Sequence, residues 1–113
     1  MARGKGAEKA AKVGFDWPDV SGAVDKMSEE LEEVKAAMAG DGDVAEELGD
    51  LLFAVVNTSR FLHVDAEDAL HAASDKFAAR FRRVEEEVLK SGRAMEEVSL
   101  AELDAIWNAV KHN

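Results

Sequence analysis

The chain has 113 residues, of which 24 are acidic and 14 are basic, and its formal net charge at pH 7 is −10. This length predicts a single domain with one hydrophobic core, and the charge argues against binding to bare nucleic acid or to an anionic membrane. The absence of cysteine excludes disulfides, thiolate zinc sites and cysteine nucleophiles. Because no run of about 18 apolar residues is present, we expect a soluble cytoplasmic protein.

The first twelve residues carry four bases but no apolar stretch, which is unlike a secretory signal. We expect residues 1–12 to form a basic arm or the remnant of a linker from a longer protein, with any helix near its end. The catalytic or binding domain is then predicted to cover residues 13–113.

Two helices are predicted to follow as a tight antiparallel hairpin. The first begins near Pro18, where Asp16 or Asp19 can cap it and proline suits the first turn, and it ends at Gly40. The second begins at Asp43, which forms a capping-box-like pair with Glu46, and it ends near residue 63. The residues expected to face inward are Val20, Val24, Met27, Leu31, Val34, Met38, Val44, Leu48, Leu51, Leu52, Val55 and Leu62.

Two further helices complete the predicted fold. The third and longest is capped by Asp65 or Asp68 and ends before Gly92, and the fourth opens at Ser99, whose capping-box partner is Glu102. Their inward residues are predicted to be Leu70, Ala73, Phe77, Phe81, Val84 and Val88, then Leu103, Ile106, Trp107 and Val110. Since no segment shows convincing strand alternation, the fold class is all-α, an antiparallel arrangement resembling a four-helix bundle.

The most informative pattern is a pair of acidic segments, residues 29–33 and 46–50, which begin seventeen positions apart. Each segment carries two acids three residues apart beside a central leucine, and such residues are neighbours on a helix surface. The pairs are Glu30 with Glu33 and Glu47 with Asp50. Both lie on the same side of their apolar stripes, and a turn at residues 40–42 brings them to one height between the two helices.

Carboxylates that converge between helices need counter-charge or metal. An all-oxygen set suits a hard cation, Mg²⁺ with Mn²⁺ as a substitute, better than zinc or copper, so a magnesium site is predicted. The alternative is that each acidic segment is a solvated helix face. Two segments whose acids occupy the same helical positions favour the metal site over this alternative. Gly49 costs about 1 kcal/mol relative to alanine within a helix, which suggests close approach of a ligand or another backbone.

Other polar residues extend this picture. Asn57, seven residues after Asp50, can orient a ligand hydroxyl or a water beside the metal through its amide. Lys76, Arg80 and Arg83 recur at helical spacing on the third helix. They form either salt bridges between helices or a row that binds phosphate, and the residues alone leave both explanations open.

The motif and its surroundings resemble the MazG nucleoside triphosphate pyrophosphohydrolases of the all-α NTP pyrophosphatase superfamily. The family pattern E-E-x-x-E followed by E-x-x-D is matched by the acids at positions 29, 30, 33, 47 and 50. Segments 13–18, 49–54, 76–77 and 80–82 resemble the C-terminal domain of two-domain MazG proteins, and the likeness covers about residues 12–111. The chain departs from it at Ala78 and Ala79, where relatives often carry a charged pair.

The resemblance implies roles for individual residues. Magnesium would be held by Glu30, Glu33, Glu47 and Asp50. Glu29 is the candidate for holding the attacking water, and Lys76 and Arg80 would act on the phosphates, while Trp107 would lie near the base or sugar, although its spacing also fits a buried stripe. With Asn57 included, the predicted substrate contacts are Lys26, Glu29, Asp43, Glu46, Asp50, Asn57, Lys76, Arg80 and Trp107.

The implied reaction converts a nucleoside or deoxynucleoside triphosphate to the monophosphate and pyrophosphate. Mg²⁺ would join the carboxylates to the phosphate oxygens, and the side chains of Lys76 and Arg80 would stabilise charge on the leaving group. The family also implies broad use of bases and a homodimer or larger homo-oligomer. Two alternatives stay open, namely a pyrophosphatase selective for dUTP or dCTP, and a non-catalytic acidic helical module that binds a partner.

Overall fold

The structure, a computed structural model, describes residues 2–111, and in that range every regular element is a helix. The α-helices are α1 (Ala2–Lys12), α2 (Val20–Met38), α3 (Val44–Phe61), α4 (Ala66–Lys90) and α5 (Leu100–Lys111), and a 3-10 helix covers Met95–Glu97. The all-α prediction is confirmed, and α2 to α5 lie close to their predicted bounds. Positions 1, 112 and 113 of the predicted arm and domain lie outside the described residues.

The chain folds as two compact units, of which the first ends at Ala69 and the second begins at Leu70. In the first unit, α1 packs against α3. Helix α1 extends through almost the whole of the predicted basic arm. The division into an arm and a domain at residue 13 stays a prediction. None of the described helices is both long enough and apolar enough to cross a membrane.

Aspartates fix the beginnings of the two hairpin helices, as the sequence predicts. The Asp19 carboxylate accepts the backbone N–H of Ser21 at 2.9 Å, and hydrogen bonds from the side chain and backbone of Ser21 lower the pKa of Asp19. Asp43 Oδ1 accepts the N–H groups of Ala45 at 3.0 Å and Glu46 at 3.3 Å. These bonds satisfy backbone donors that have no partner within the helix itself.

The α2–α3 hairpin packs through small residues. The buried residues of α2 are Ala23, Glu30 and Ala37, spaced seven apart, and those of α3 are Ala54, Asn57 and Thr58. Across this seam, Thr58 Oγ1 lies 2.9 Å from Met27 Sδ. Alanine at the contact positions allows the two helix backbones to approach closely.

Twelve residues that were predicted to face inward, most of them bulky, are instead exposed, so this part of the prediction is wrong. They are Val24, Leu31, Met38, Val44, Leu48, Leu52, Val55, Leu62, Leu70, Ala73, Phe77 and Phe81. On α2 the physical reason is a displacement of one residue, because the alanine seam at positions 23 and 37 precedes the bulky row at 24 and 38. One residue corresponds to about 100° of rotation, which leaves the bulky row beside the contact.

The second unit has its own small core. Val84 and Val88 of α4 are buried, as are Val98 and Val110. Arg83 Nη1 donates a hydrogen bond to the Val110 carbonyl oxygen at 2.9 Å, which ties the end of α5 to α4. The prediction that Val84, Val88 and Val110 face inward is therefore confirmed.

An ion pair links the loop after α4 to the beginning of α5. Arg93 Nη1 donates to Glu102 Oε1 at 3.0 Å, and Arg93 Nη2 contacts Oε2 of the same carboxylate. The hydrogen bond from Arg93 lowers the pKa of Glu102. The predicted capping box is therefore half formed, since Ser99 Oγ accepts the Glu102 N–H at 3.2 Å but the Glu102 carboxylate binds Arg93.

Candidate functional site

Three carboxylates from α2 and α3 converge at the predicted magnesium site. Glu30, Glu47 and Asp50 each place one oxygen within 4.8 Å of the others. Glu30 comes from the buried seam of α2, while Glu47 lies in the first turn of α3 and Asp50 in the next. We call these three residues the carboxylate trio. Their donor atoms are all hard oxygens, and this set fits a divalent cation.

Glu33, the fourth predicted ligand, is not part of the trio but interacts with it electrostatically. The pKa of Glu47 is raised, first by desolvation and then by the negative charges of Asp50, Glu33 and Glu30, with Glu46 adding to them. Like charges held this close disfavour the ionised form. A bound cation would relieve that repulsion, so the electrostatics agree with the chemistry of the donor set.

Lys26 supplies positive charge at the edge of the trio. Its Nζ lies 3.0 Å from Glu30 Oε1 and 3.4 Å from Glu29 Oε1. The hydrogen bond to Glu30 is the main cause that raises the pKa of Lys26. Glu29, the candidate for holding water, has a side chain that is 64% exposed, so it lies at the border of the site and outside the trio.

A cavity of about 290 Å³ opens beside the trio, and we call it the Trp17 cavity. It is lined by Trp17, Ala23, Lys26, Glu30, Asp50, Phe53, Ala54 and Asn57. The sequence predicted site roles for Lys26, Glu30, Asp50 and Asn57 but not for the two aromatic residues. Phe53 follows Asp50 by three residues on the same helix, so helical spacing could have identified it.

A polar network built on the buried Asn57 lies beside this cavity. Asn57 is 6% exposed, and its Oδ1 accepts hydrogen bonds from Arg60 Nε at 3.0 Å and Nη2 at 2.8 Å. Arg60 Nη2 also lies 2.9 Å from both carboxylate oxygens of Asp16. The network therefore fixes the segment before α2 to α3. The sequence offered Asp16 as a possible cap of α2, but Asp19 is the cap and Asp16 binds Arg60 instead. This contact was missed because a separation of 44 residues leaves no periodic signal.

The remaining predicted contacts on α3 are placed as follows. Asp43 is the N-cap of the helix, and Glu46 is exposed beside Glu47. A Cβ built at Gly49 meets no described atom within 4 Å. In the described part of the chain, therefore, no other backbone approaches Gly49, and the prediction of a close backbone there is wrong. The approach of a ligand to Gly49 stays a prediction.

The predicted phosphate and base contacts belong to the second unit, where two of them come together. The guanidinium carbon of Arg80 lies 4.7 Å from the centroid of a Trp107 ring, and the Phe77 ring lies 5.1 Å from Trp107 between centroids. Lys76 is exposed. Trp107 is half-buried between an apolar and a cationic neighbour, an environment that suits either a core aromatic or a ligand contact.

Comparison with known proteins agrees with this geometry. Residues 19–85 match the family described as the MazG nucleotide pyrophosphohydrolase domain. The chain is 47% identical over 104 residues to the nucleoside triphosphate pyrophosphohydrolase/pyrophosphatase MazG of Thermotoga maritima, covering 92% of this chain and 40% of that protein. It is 43% identical over 108 residues to the nucleoside triphosphate pyrophosphohydrolase of Escherichia coli K12, covering 92% and 41%.

A shorter stretch of 65 residues is 42% identical to YabN of Bacillus subtilis and covers 58% of this chain and 13% of YabN. The chain thus spans about two fifths of the length of the first two relatives. The family match includes both acidic segments and the N-cap of α2. On these grounds the chain belongs to the MazG nucleotide pyrophosphohydrolase domain family.

Proposed function

We propose that the chain hydrolyses nucleoside and deoxynucleoside triphosphates to monophosphate and pyrophosphate, accepting several bases. The observation that carries this proposal is the convergence of Glu30, Glu47 and Asp50 within 4.8 Å across two helices. The names of the Thermotoga maritima and Escherichia coli relatives support it. A triphosphate is strongly anionic, so a chain of net charge −10 can bind it only where positive charge is concentrated.

The proposed cation is Mg²⁺, with Mn²⁺ as a substitute, held by the trio together with Glu33. Bound there, the ion would supply charge neutralisation for the phosphates and a lowered pKa for water. The raised pKa of Glu47 supports this arrangement, because the four acids repel one another until positive charge is added. The ligand set is therefore expected to act as a unit, with no single acid dispensable.

The side chains of the chain would position the substrate. Lys26 lies beside Glu30 and can donate to a phosphate oxygen, and Glu29 can accept a hydrogen bond from the attacking water and so orient it. Lys76 and Arg80 would stabilise charge on the pyrophosphate, since positioning and electrostatics dominate phosphoryl transfer. The further proposed substrate contacts are Asp43, Glu46, Asp50, Asn57 and Trp107.

We further propose that the protein works as a homodimer or larger homo-oligomer in the cytoplasm, where nucleoside triphosphates are made and used. Support comes from the apolar residues left exposed on α2 and α3, such as Leu31 at 44% and Leu48 at 45%. On α3, Leu48 and Leu52 lie one turn apart and are both exposed, and exposed apolar patches are typical of protein interfaces. A second copy would cover these residues.

Product analysis tests the reaction. Purified protein is incubated with each ribo- and deoxyribonucleoside triphosphate, with Mg²⁺ or with EDTA, and the products are separated by anion exchange. We expect monophosphate and pyrophosphate from several bases, and none with EDTA. Diphosphate and inorganic phosphate would contradict the proposal. Hydrolysis of the triphosphates of a single base would favour a base-selective pyrophosphatase. No hydrolysis by folded protein would favour the non-catalytic acidic module.

The position of bond cleavage can be followed in the same experiment. In water enriched in ¹⁸O, the oxygen that attacks phosphorus is retained in one product. Mass spectrometry then shows whether the label enters the monophosphate or the pyrophosphate. Because pyrophosphate is the proposed leaving group, one labelled oxygen per turnover is expected in the monophosphate, and label in the pyrophosphate would instead show that water attacks the β-phosphorus.

A further inference from the structure

We propose that the Trp17 cavity receives the nucleoside part of the substrate, with Trp17 as a stacking wall that Gly22 holds in position. This inference rests on the proposed function, because it assigns a place to the nucleoside of a triphosphate that binds at the carboxylate trio. Neither Trp17 nor Gly22 belongs to the sequence motif that identifies the acids. Trp17 is here a binding residue, and Gly22 is a positioning residue.

The location and size of the cavity support this assignment. Glu30 and Asp50 belong to both the trio and the wall of the cavity, so a triphosphate held at the acids has the cavity as its neighbour. At about 290 Å³, the cavity lies just below the range for ligand pockets that hold a whole ligand, roughly 300–1,000 Å³. That size fits the nucleoside part of a nucleotide rather than a whole triphosphate.

The chemistry of the walls also fits a nucleoside. Trp17 and Phe53 are 39% and 48% exposed, so both rings present surface to a ligand. Aromatic rings stack on any base, because every base has a π face. A wall of this kind gives affinity with little selectivity, which agrees with the proposed use of several bases.

Asn57 provides a polar group suited to such a ligand. Its Oδ1 is engaged by Arg60, which orients the amide so that Nδ2 is the group left to bind a ligand. Among the described residues, no acceptor binds Nδ2. Every fully buried side-chain nitrogen or oxygen among these residues has a hydrogen-bond partner, so Nδ2 is not fully buried. Nδ2 therefore keeps some access to solvent, and it can donate to a sugar hydroxyl or a base acceptor.

The position of Trp17 is set by its neighbours in a way that can be tested. A Cβ at Gly22 would lie 2.6 Å from Trp17 Cγ, so only glycine allows the indole to rest against α2. The residue before Trp17 also helps to hold it, because the backbone N–H of Trp17 donates to Asp16 Oδ1 at 3.0 Å. Asp16 in turn forms an ion pair with Arg60. Gly22→Ala should therefore displace Trp17 without removing any ligand-binding group.

A second cavity, of about 400 Å³, shares Trp17, Phe53 and Asn57 with the first but is bordered by α1. None of the trio lines it. A nucleoside there would lie away from the acids, so the Trp17 cavity is the site that we assign.

Equilibrium binding tests this inference independently of turnover. The probes are α,β-methylene nucleoside triphosphates, whose α–β bridge cannot be hydrolysed, and the methyl ester of the same α,β-methylene triphosphate, which has no nucleoside. Dissociation constants are measured by calorimetry with Mg²⁺ present. Trp17→Ala is expected to weaken binding of each nucleotide probe about tenfold or more, in line with base stacking on an aromatic ring. The methyl probe should change less than about twofold, and Trp17→Phe should keep most of the affinity.

A double-variant comparison tests the role of Gly22. If Gly22→Ala acts only through Trp17, it weakens the nucleotide probes in the native background but has no further effect in the Trp17→Ala background. Additive losses would show that Gly22 acts elsewhere. Circular dichroism on each variant separates this result from loss of fold.

Fluorescence gives a direct readout, because the chain has two tryptophans. At saturating concentrations the nucleotide probe should quench the emission of the native chain more than the methyl probe does, and this difference should shrink in Trp17→Ala. Equal weakening of both probes by Trp17→Ala, or unchanged nucleotide binding, would overturn the inference. Failure of the proposed function would look different, since the native chain would then release no pyrophosphate from any triphosphate.

Discussion

Lys26 and Glu30, one turn apart on α2, form an ion pair in which Nζ lies 3.0 Å from Oε1. The side chain of Glu30 is 10% exposed, and a carboxylate so buried requires a partner. Lys26 supplies that partner in the free protein. It therefore competes with a cation for Glu30, while the same ammonium group is placed to bind a phosphate oxygen.

Replacing Lys26 by glutamine should consequently have two opposite effects. Mg²⁺ alone should bind the variant more tightly, up to about fivefold, because a competing cation is gone. A non-hydrolysable triphosphate should bind roughly tenfold to a hundredfold more weakly, because a charge-assisted hydrogen bond is lost. Calorimetry measures both. Lys35→Gln is the matched control, since Lys35 pairs with Glu32 at 3.2 Å on the exposed surface, and changes of the same sign in both titrations of Lys26→Gln would contradict this explanation.

Replacing Glu47 by glutamine should abolish most turnover and spare the fold. We expect Mg²⁺-dependent activity to fall about a hundredfold or more, with the helical circular dichroism retained. The pKa of Glu47 is raised in the folded chain, so its ionised form opposes folding above that pKa. In EDTA the variant should therefore melt at or above the native temperature, and Mg²⁺ should stabilise the native chain more than the variant.

Glu32→Gln controls for the change of charge in the Glu47 experiment. Glu32 is an exposed acid on α2 that pairs with Lys35. Its neutral variant should keep both the activity and the stabilisation by Mg²⁺. Native turnover by Glu47→Gln would remove Glu47 from the proposed ligand set.

The Arg93–Glu102 pair predicts a pH-dependent part of the stability. Because Arg93 lowers the pKa of Glu102, the pair stabilises the folded chain above the unfolded pKa, about 4.3 for glutamate, and this stabilisation is lost as pH falls through the lowered folded value. Thermal unfolding of Arg93→Met should show a deficit relative to the native chain at pH 7 that shrinks towards pH 3. A deficit that is constant with pH would mean that Arg93 contributes packing alone.

Lys90→Met provides the comparison for that pH series. Lys90 pairs with Glu87 at 3.4 Å, and the two side chains are 72% and 49% exposed. Pairs this exposed contribute little to stability, so the melting temperature of this variant should follow that of the native chain from pH 3 to pH 7.

The exposed apolar residues of the hairpin predict a concentration-dependent assembly. Sedimentation velocity of the native chain should show a dimer or larger species, and Leu31→Gln combined with Leu48→Gln should shift it to monomer at the same concentration. Leu89→Gln, at a leucine of α4 that is 76% exposed, tests whether any loss of a surface leucine has this effect. A native monomer at every concentration would end the proposal of a homo-oligomer.

Local signals account for what the sequence predicted well. Asp19 and Asp43 cap their helices through bonds within three residues, so the helix bounds could be read from neighbouring positions. Glu30, Glu47 and Asp50 converge because helical spacing and one turn determine their heights. Both results depend on short separations along the chain.

Longer-range packing explains what the sequence did not show. The choice between the Ala23 row and the Val24 row depends on which faces of α2 and α3 approach, and the hydrophobic pattern alone favoured the larger residues. The contact of Asp16 with Arg60, and that of Trp17 with Gly22, require knowledge of how the segment before α2 folds back. Such contacts have no period to detect.

The seven-residue spacing of Ala23, Glu30 and Ala37 places a charged group at a position where an interior helix would carry a small or apolar one. The carboxylate there is paired with Lys26, and replacing a buried ion pair as a whole by apolar groups often raises stability, whereas removing one partner alone lowers it. Lys26→Met combined with Glu30→Leu should accordingly yield a more heat-resistant protein without Mg²⁺-dependent turnover. On the proposed function, the acid that holds the cation therefore keeps this hairpin below the stability that its length permits, a stability–activity trade-off located at one ion pair.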